Sequence, residues 1–394
     1  MTAGDNLRPY LNRIQRRALM IGAGGVVLCL LGAFLNPVSF FRAYLLAYLF
    51  WLGIALGCLA LLMVQHLVRG AWGAVIQRIL EAGSRTLPLM ALLFIPLLFG
   101  LQALYIWVRP EAVAGDDILQ HKSAYLNVPF FVLRLVVYVV VWSGLAYLMS
   151  RWSFRHDHID DWASGRPLRR RLQLWSGPGL VVYGLTATFA SIDWMMSLEP
   201  HWFSTIYGFV FVVGQVLTAL AFAVVALALL ADFEPFAGVV TSSHFHDLGS
   251  LLFTFVMLWA YIAFSQFLII WSGNLSEEIP WYVHRIQGGW QWVGLALLVF
   301  HFAVPFFLLL SRFTKRHASL LAPLAGVLIV MQWVDLWWLV MPAFYPSQLH
   351  VHWLDGVAPL GMGGIWIAVF IWYLRGRALL PQHDPRLQRE VEHG

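Results

Sequence analysis

The chain has 394 residues, of which 60% are hydrophobic and 11% charged, with a formal net charge of +5 and a mean hydropathy of +0.72. Soluble domains carry about 25% charged residues, so this composition excludes them and defines a polytopic membrane protein. The basic excess sits in the loops between apolar runs, so no nucleic-acid partner is needed to account for it.

Apolar runs are read at roughly 18–36, 43–68, 86–107, 126–150, 174–197, 204–231, 245–271, 286–311, 318–342 and 357–376. Each is long enough to cross a hydrocarbon core of about 30 Å as a helix. With the N-terminus inside, twenty of the 25 lysines and arginines fall on inner segments. Arg42, Arg109, Lys122 and Arg285 fall on outer loops, and Arg134 falls within a span. The positive-inside rule then places both termini in the cytoplasm. No cleavage site follows the N-terminal MTAGDNLRPYLNRIQRR, so the first span is expected to be retained.

Cys29 and Cys58 lie in the first two spans, and no CxxCH motif or cysteine cluster is present. The chain is therefore expected to bind no haem or iron–sulfur cluster and no metal. A transmembrane haem would need paired deep histidines, and only His301 is read as deep. The second span closes on Gln65 and His66 at the inner surface. Between Arg151 and Arg171 the run HDHIDD (His156–Asp161) reads as a solvated connecting loop rather than a metal site.

The fourth span carries Arg134, whose fixed charge must face protein or water. Asn127, Phe131, Arg134, Tyr138 and Trp142 mark its inward face. On the fifth span Tyr183, Thr186, Ala190, Asp193 and Ser197 share one face. The seventh opens on His244, His246 and Asp247. It then carries Asp247, Ser250, Thr254, Tyr261 and Ser265 at steps of 3, 4, 7 and 4, one helical face. Such a row is expected beside a polar cavity. The eighth span presents Gln287, Gln291 and His301, and the ninth Gln332 and Asp335 among tryptophans.

By depth, His66, Asp247 and His301 fall in the inner half, with Tyr261 on the same row as Asp247. Together they read as a proton path from the cytoplasm. Arg134, Asp193, Gln266, Gln291 and Asp335 fall in the outer half. A buried carboxylate takes up a proton most readily when burial lifts its pKa, and an arginine partner reverses that. Arg134 is positioned to pair with Asp193 or Asp335. Asp193 or Asp335 is read as the carboxylate that takes the proton, with Arg134 beside them as the third catalytic residue. Asp193 is favoured as the unpaired proton or quinol site, with an ion pair to Arg134 as the alternative.

Two long stretches carry a resemblance. FASIDWMMSLEPHWFSTIYGFVFVVGQ (Phe189–Gln215) and FHDLGSLLFTFVMLWAYIAFSQFLIIWSGNLSEEIPWYVHRIQGGW (Phe245–Trp290), with DLWWLVMPAFYP (Asp335–Pro346), resemble the smaller NrfD-like membrane subunit of alternative complex III. That complex is a quinol:cytochrome c, or electron-carrier, oxidoreductase of the bacterial inner membrane. The family is that of the NrfD/polysulfide-reductase-C-like membrane proteins. Residues 1–100 match by topology only. The resemblance implies a single integral membrane domain over 1–394, built as two four-helix bundles. These are spans two to five (43–197) and six to nine (204–342), flanked by the first and last helices.

It also implies a quinone-binding or proton-translocating role, with Asp193 near an outer pocket. The implied partners are the larger NrfD-like membrane protein of the same complex, an iron–sulfur protein and c-type cytochromes. Glu199–Trp202, Ser272–His284 and Tyr345–Trp353 are expected to dock the periplasmic partners, with Trp202, Trp281 and Trp353 as anchors. Two other readings fit the residues: a proton-coupled secondary transporter, and a structural anchor for peripheral redox proteins.

Overall fold

The computed structural model describes residues 7–157, 159 and 164–381. His158, Asp160 and Asp161 of the HDHIDD run, and Arg386 and Arg389, lie outside the described residues. Among the described residues the chain is all-helical, and ten helices are long and apolar enough to span a membrane. They are α1 (Leu7–Leu35), α2 (Pro37–Val68), α3 (Ala71–Phe99), α4 (Val128–Asp157), α5 (Arg166–Leu198), α6 (Tyr207–Leu230), α7 (Ser242–Gly273), α8 (Trp290–Leu310), α9 (Ala318–Ala343) and α10 (Trp353–Arg375).

Local chemistry fixes where these helices start. One residue, Asn36, separates α1 from α2. Its side chain accepts from the Ser39 amide at 3.1 Å, and Pro37 occupies the first helical position, where a missing N–H costs nothing. At α10, His352 and Asp355 cap each other, the Asp355 carboxylate accepting from the His352 amide at 3.0 Å. Asn274, in the left-handed conformation at φ 49°, ends α7.

α2 is buried on all sides, and α6 nearly so, as expected for helices apolar all round. α2 packs on α3, α5, α6 and α10, and α6 on α5, α7 and α9. The helices α2–α5 are neighbours of one another, as are α6–α9, and the two sets meet along α2 and α6. α1 lies antiparallel on α10 through facing glycines. A Cβ on Gly25 would stand 2.2 Å from the Cα of Gly361, so the backbones touch there. That pairing brings both ends of the described chain to one face, called here the ends face; the other is the far face.

The third span departs from expectation. A helix begins near 86 as expected, at Leu87, but past a turn at Arg85–Thr86 it continues a helix over Ala71–Ser84 that carries Arg78 and Glu81, expected from hydropathy to lie in a loop. Both are buried, at 3% and 2% exposure. The helix runs through them because each charge is neutralised within it or against α4 and the chain after α10.

Candidate functional site

Five polar places stand out, and the first holds Asp193. Arg134 and Tyr138 lie four residues apart on α4 and so share a face. Arg134 donates from Nε and Nη2 to the two Asp193 oxygens at 2.8 Å each, and Tyr138 donates to Oδ2 at 2.8 Å. The Arg134 guanidinium also lies over the rings of Tyr125 and Phe130, at 3.9 and 4.3 Å. Trp194 and Trp142 close the site beside Tyr138. The expectation of an unpaired Asp193 is corrected here. A bidentate arginine and a phenol occupy the carboxylate, an arrangement that holds charge in place rather than passing protons.

The second holds Asp335 on α9. Trp259 Nε1, from α7, donates to Oδ2 at 3.2 Å, and Gln332 Nε2 donates to the same oxygen at 3.0 Å. Among the described residues no cation pairs with it. His301 packs edge-on against Trp259, with ring centroids 4.3 Å apart. It is fully buried, and neither ring nitrogen has a hydrogen-bond partner among the described residues. His301 stands on Leu297–Ala303, a π-helical stretch of α8, a local widening common at functional sites. Sorting by depth put His301 and Asp335 in opposite halves; the structure brings both against one tryptophan, Trp259.

The third is the expected inner path, which does not form. His66 lines a cavity at the ends face, Asp247 stands half-exposed with His246 Nδ1 at 3.7 Å, and His301 lies deep beside Trp259. The polar row on α7 faces away from the body of the protein. Tyr261 is 67% exposed, Thr254 is exposed too, and Ser265 is half-buried. Ser250 and Thr254 donate to the carbonyls of His246 and Ser250, at 2.8 and 3.0 Å. Back-bonding of this kind satisfies a hydroxyl without any cavity.

Sequence reasoning missed the fourth place, a charged cluster at the ends face. Glu81 binds Arg78 at 2.7 Å, Ser153 at 2.5 Å, Gln77 at 2.9 Å and Arg377 at 3.4 Å. Arg78 also pairs with Asp157. Asp157, expected in a solvated loop, therefore ends α4 as part of a buried network. Beside it lies a cavity of about 110 Å3 lined by His66, Gln65, Gln77 and Arg78. The i, i+3 spacing of Arg78 and Glu81 in an amphipathic run was the available signal.

The fifth is a cleft of about 810 Å3 on the far face. Arg42, Arg109, His201 and Glu277 line it with Trp202, Trp281 and Phe344. Beneath them, Glu199 accepts from Arg285 Nη2 at 2.8 Å and meets His284 Nδ1 at 3.2 Å. Burial pushes the Glu199 carboxyl up, but Arg285 and His284 together hold it below the usual carboxylate range. Arg285 lies 3.6 Å over the Trp281 ring and donates to the Leu339 carbonyl at 2.7 Å. Leu339 is one helical turn from Asp335 on α9, so Arg285 links the cleft's Glu199 to the helix that carries that carboxylate. Trp202 and Trp281, expected as outward anchors, stack on each other at 4.6 Å and are buried; Trp353 is 45% exposed.

The fold and these sites define a class, that of multi-pass helical membrane proteins with buried ionisable groups. Comparison with family models and with curated proteins finds no match to this chain.

Proposed function

We propose that the chain is a membrane component of a quinol-oxidising complex of the bacterial inner membrane, of the alternative complex III type. The observation that carries this reading is the far-face cleft. Its volume lies in the range of small-molecule sites, about 300–1,000 Å3, and its wall sets the rings of Trp202, Trp281 and Phe344 beside the charged groups Arg42, Arg109, Glu199 and Glu277. Arg285, bound to the cleft's Glu199, also holds the carbonyl of Leu339, one helical turn from Asp335, a buried carboxylate served among the described residues by neutral donors. A quinol ring seated in the cleft would lose two protons and two electrons on becoming quinone. The electrons leave to a metal centre on another protein of the complex; Asp335 is the group assigned to receive one proton, and the other leaves to water at the open mouth of the cleft.

A photoreactive quinone analogue, applied to the protein in native-lipid nanodiscs and mapped by mass spectrometry, tests the reading. Labels are expected on the segments 199–202, 277–284 and 343–346. Labels confined to the lipid-facing sides of α1 or α7 would sink it. Co-purification with c-type cytochromes and an iron–sulfur protein is expected under the same reading. The structural-anchor alternative draws support from the Arg134–Asp193 pair, which has the form of a fixed ion pair.

A further inference from the structure

Between α2, α6 and α9 lies a small cavity of about 10 Å3, bounded by Gln215, Thr218, Gln332 and Asp335. Hydrogen bonds around it fix both amides. Tyr183, on α5, donates to Gln215 Oε1 at 2.7 Å, which leaves Gln215 Nε2 as a donor without a partner among the described residues. Gln332 turns Nε2 to Asp335, which leaves Gln332 Oε1 as an acceptor likewise without a partner among the described residues. Both glutamines are more than nine-tenths buried, at 3% and 4% exposure. Thr218 is already engaged, donating to the Gly214 carbonyl at 2.6 Å.

The ligand such a site takes must accept from one amide and donate to the other. A cation is refused by the Gln215 donor, and an anion by Gln332 Oε1 and the Asp335 carboxylate. The volume is that of about one water-sized sphere, and a buried water needs two to four polar partners. We propose that a single water molecule is built into this site. It accepts from Gln215 Nε2, donates to Gln332 Oε1, and turns its second hydrogen to Asp335.

Gly53 and Gly214 keep the space open. A Cβ on Gly214 would stand 2.7 Å from Gln332 Nε2, and one on Gly53 would stand 3.4 Å from Gln215 Cγ. The water joins Tyr183 on α5, through Gln215, to Asp335 on α9, so the two sets of helices share one hydrogen-bonded chain. It is also the one partner of Asp335 that exchanges hydrogen freely, since the tryptophan and glutamine donors keep theirs. The site needs neither quinone nor a second protein, and it stands or falls apart from the function proposed above.

Cryo-electron microscopy of the full chain in nanodiscs, at a resolution that shows ordered water, is the direct test. The expected result is a peak within about 3.2 Å of both Gln215 Nε2 and Gln332 Oε1. A cavity with both amides in place and no peak overturns the proposal, as does a direct Gln215–Gln332 hydrogen bond. X-ray radiolytic labelling in oxygen-18 water gives a second measurement. Phe50 and Phe211, which line the cavity, are expected to take up label in the wild type and to fall to background in Gly53→Ala. Background labelling in the wild type, or unchanged labelling in Gly53→Ala, overturns it.

Discussion

Asp193 and Asp335 sit toward the far-face ends of α5 and α9, the last helix of each set, and both are almost fully buried. Their surroundings differ in one respect that decides their chemistry. Asp193 receives two bonds from an arginine and one from a tyrosine. Asp335 receives an indole and an amide. α4 brings Arg134 to the level of Asp193, whereas α7 and α8 bring Trp259 and His301 to the level of Asp335. Burial thus says little about what a carboxylate does; the charge of its partner says more. An ion-paired carboxylate is fixed in one state, while one with neutral donors can change its protonation without leaving a cation stranded.

The largest effect is expected from breaking the paired site. Arg134→Met leaves Asp193 buried and uncompensated, a loss of about 3–5 kcal/mol. Thermal unfolding in detergent, followed by tryptophan fluorescence, measures it. Adding Asp193→Asn should restore part of the loss, and an additive double mutant would mean that the two do not act as a pair. At the other carboxylate, Asp335→Asn keeps an acceptor for Trp259 and Gln332, so stability should move by only about 1 kcal/mol. Quinol-dependent turnover of the assembled complex should fall by roughly 100-fold or more, the scale of a lost proton-transfer group. Undiminished turnover in that variant removes Asp335 from the mechanism.

A smaller effect is expected at the cleft floor, where a third carboxylate is paired yet close to water. Because Glu199 is held below the usual range, the stability it contributes is present above its ordinary pKa. That stability is lost as pH falls through the lowered value. Unfolding profiles should therefore weaken from about pH 4.5 downward, and Glu199→Gln should flatten that acid limb. An identical limb in the variant would place the titration elsewhere. The smallest effect is expected on α7. Tyr261→Phe should change stability by less than about 0.5 kcal/mol and leave turnover alone, because its hydroxyl points away from the body of the protein. A large loss there would mean that a partner covers this face.

The ten spans were legible because a bilayer demands about 20 apolar residues per crossing. That Arg134 needs a partner was legible too, since a fixed charge cannot face lipid. The rest failed for identifiable reasons. Periodicity groups Asp247, Thr254 and Tyr261 on one face of α7 but does not say which way that face turns. Depth along a helix does not say which neighbours share a level, so His301 and Asp335 were separated. Arg78 and Glu81 read as loop residues because hydropathy counts their charges singly. The structure neutralises them together with Asp157 and Arg377, the last contributed from 296 positions away in sequence.

The glycine seam between α1 and α10 has a consequence for how the chain is made. α1 emerges from the ribosome long before its main partner exists. At about 5–20 residues per second, the stretch from Leu35 to Trp353 takes roughly 15–60 s to synthesise. Through that interval the small-residue stripe of α1 is exposed to lipid or to whatever insertion factor attends it. α2 is meanwhile sealed in by α3, α5 and α6 before α10 arrives. The seam is therefore the last joint to close. Chains stopped short of Trp353 would leave the faces of Gly22 and Gly25 without the α10 backbone that packs on them.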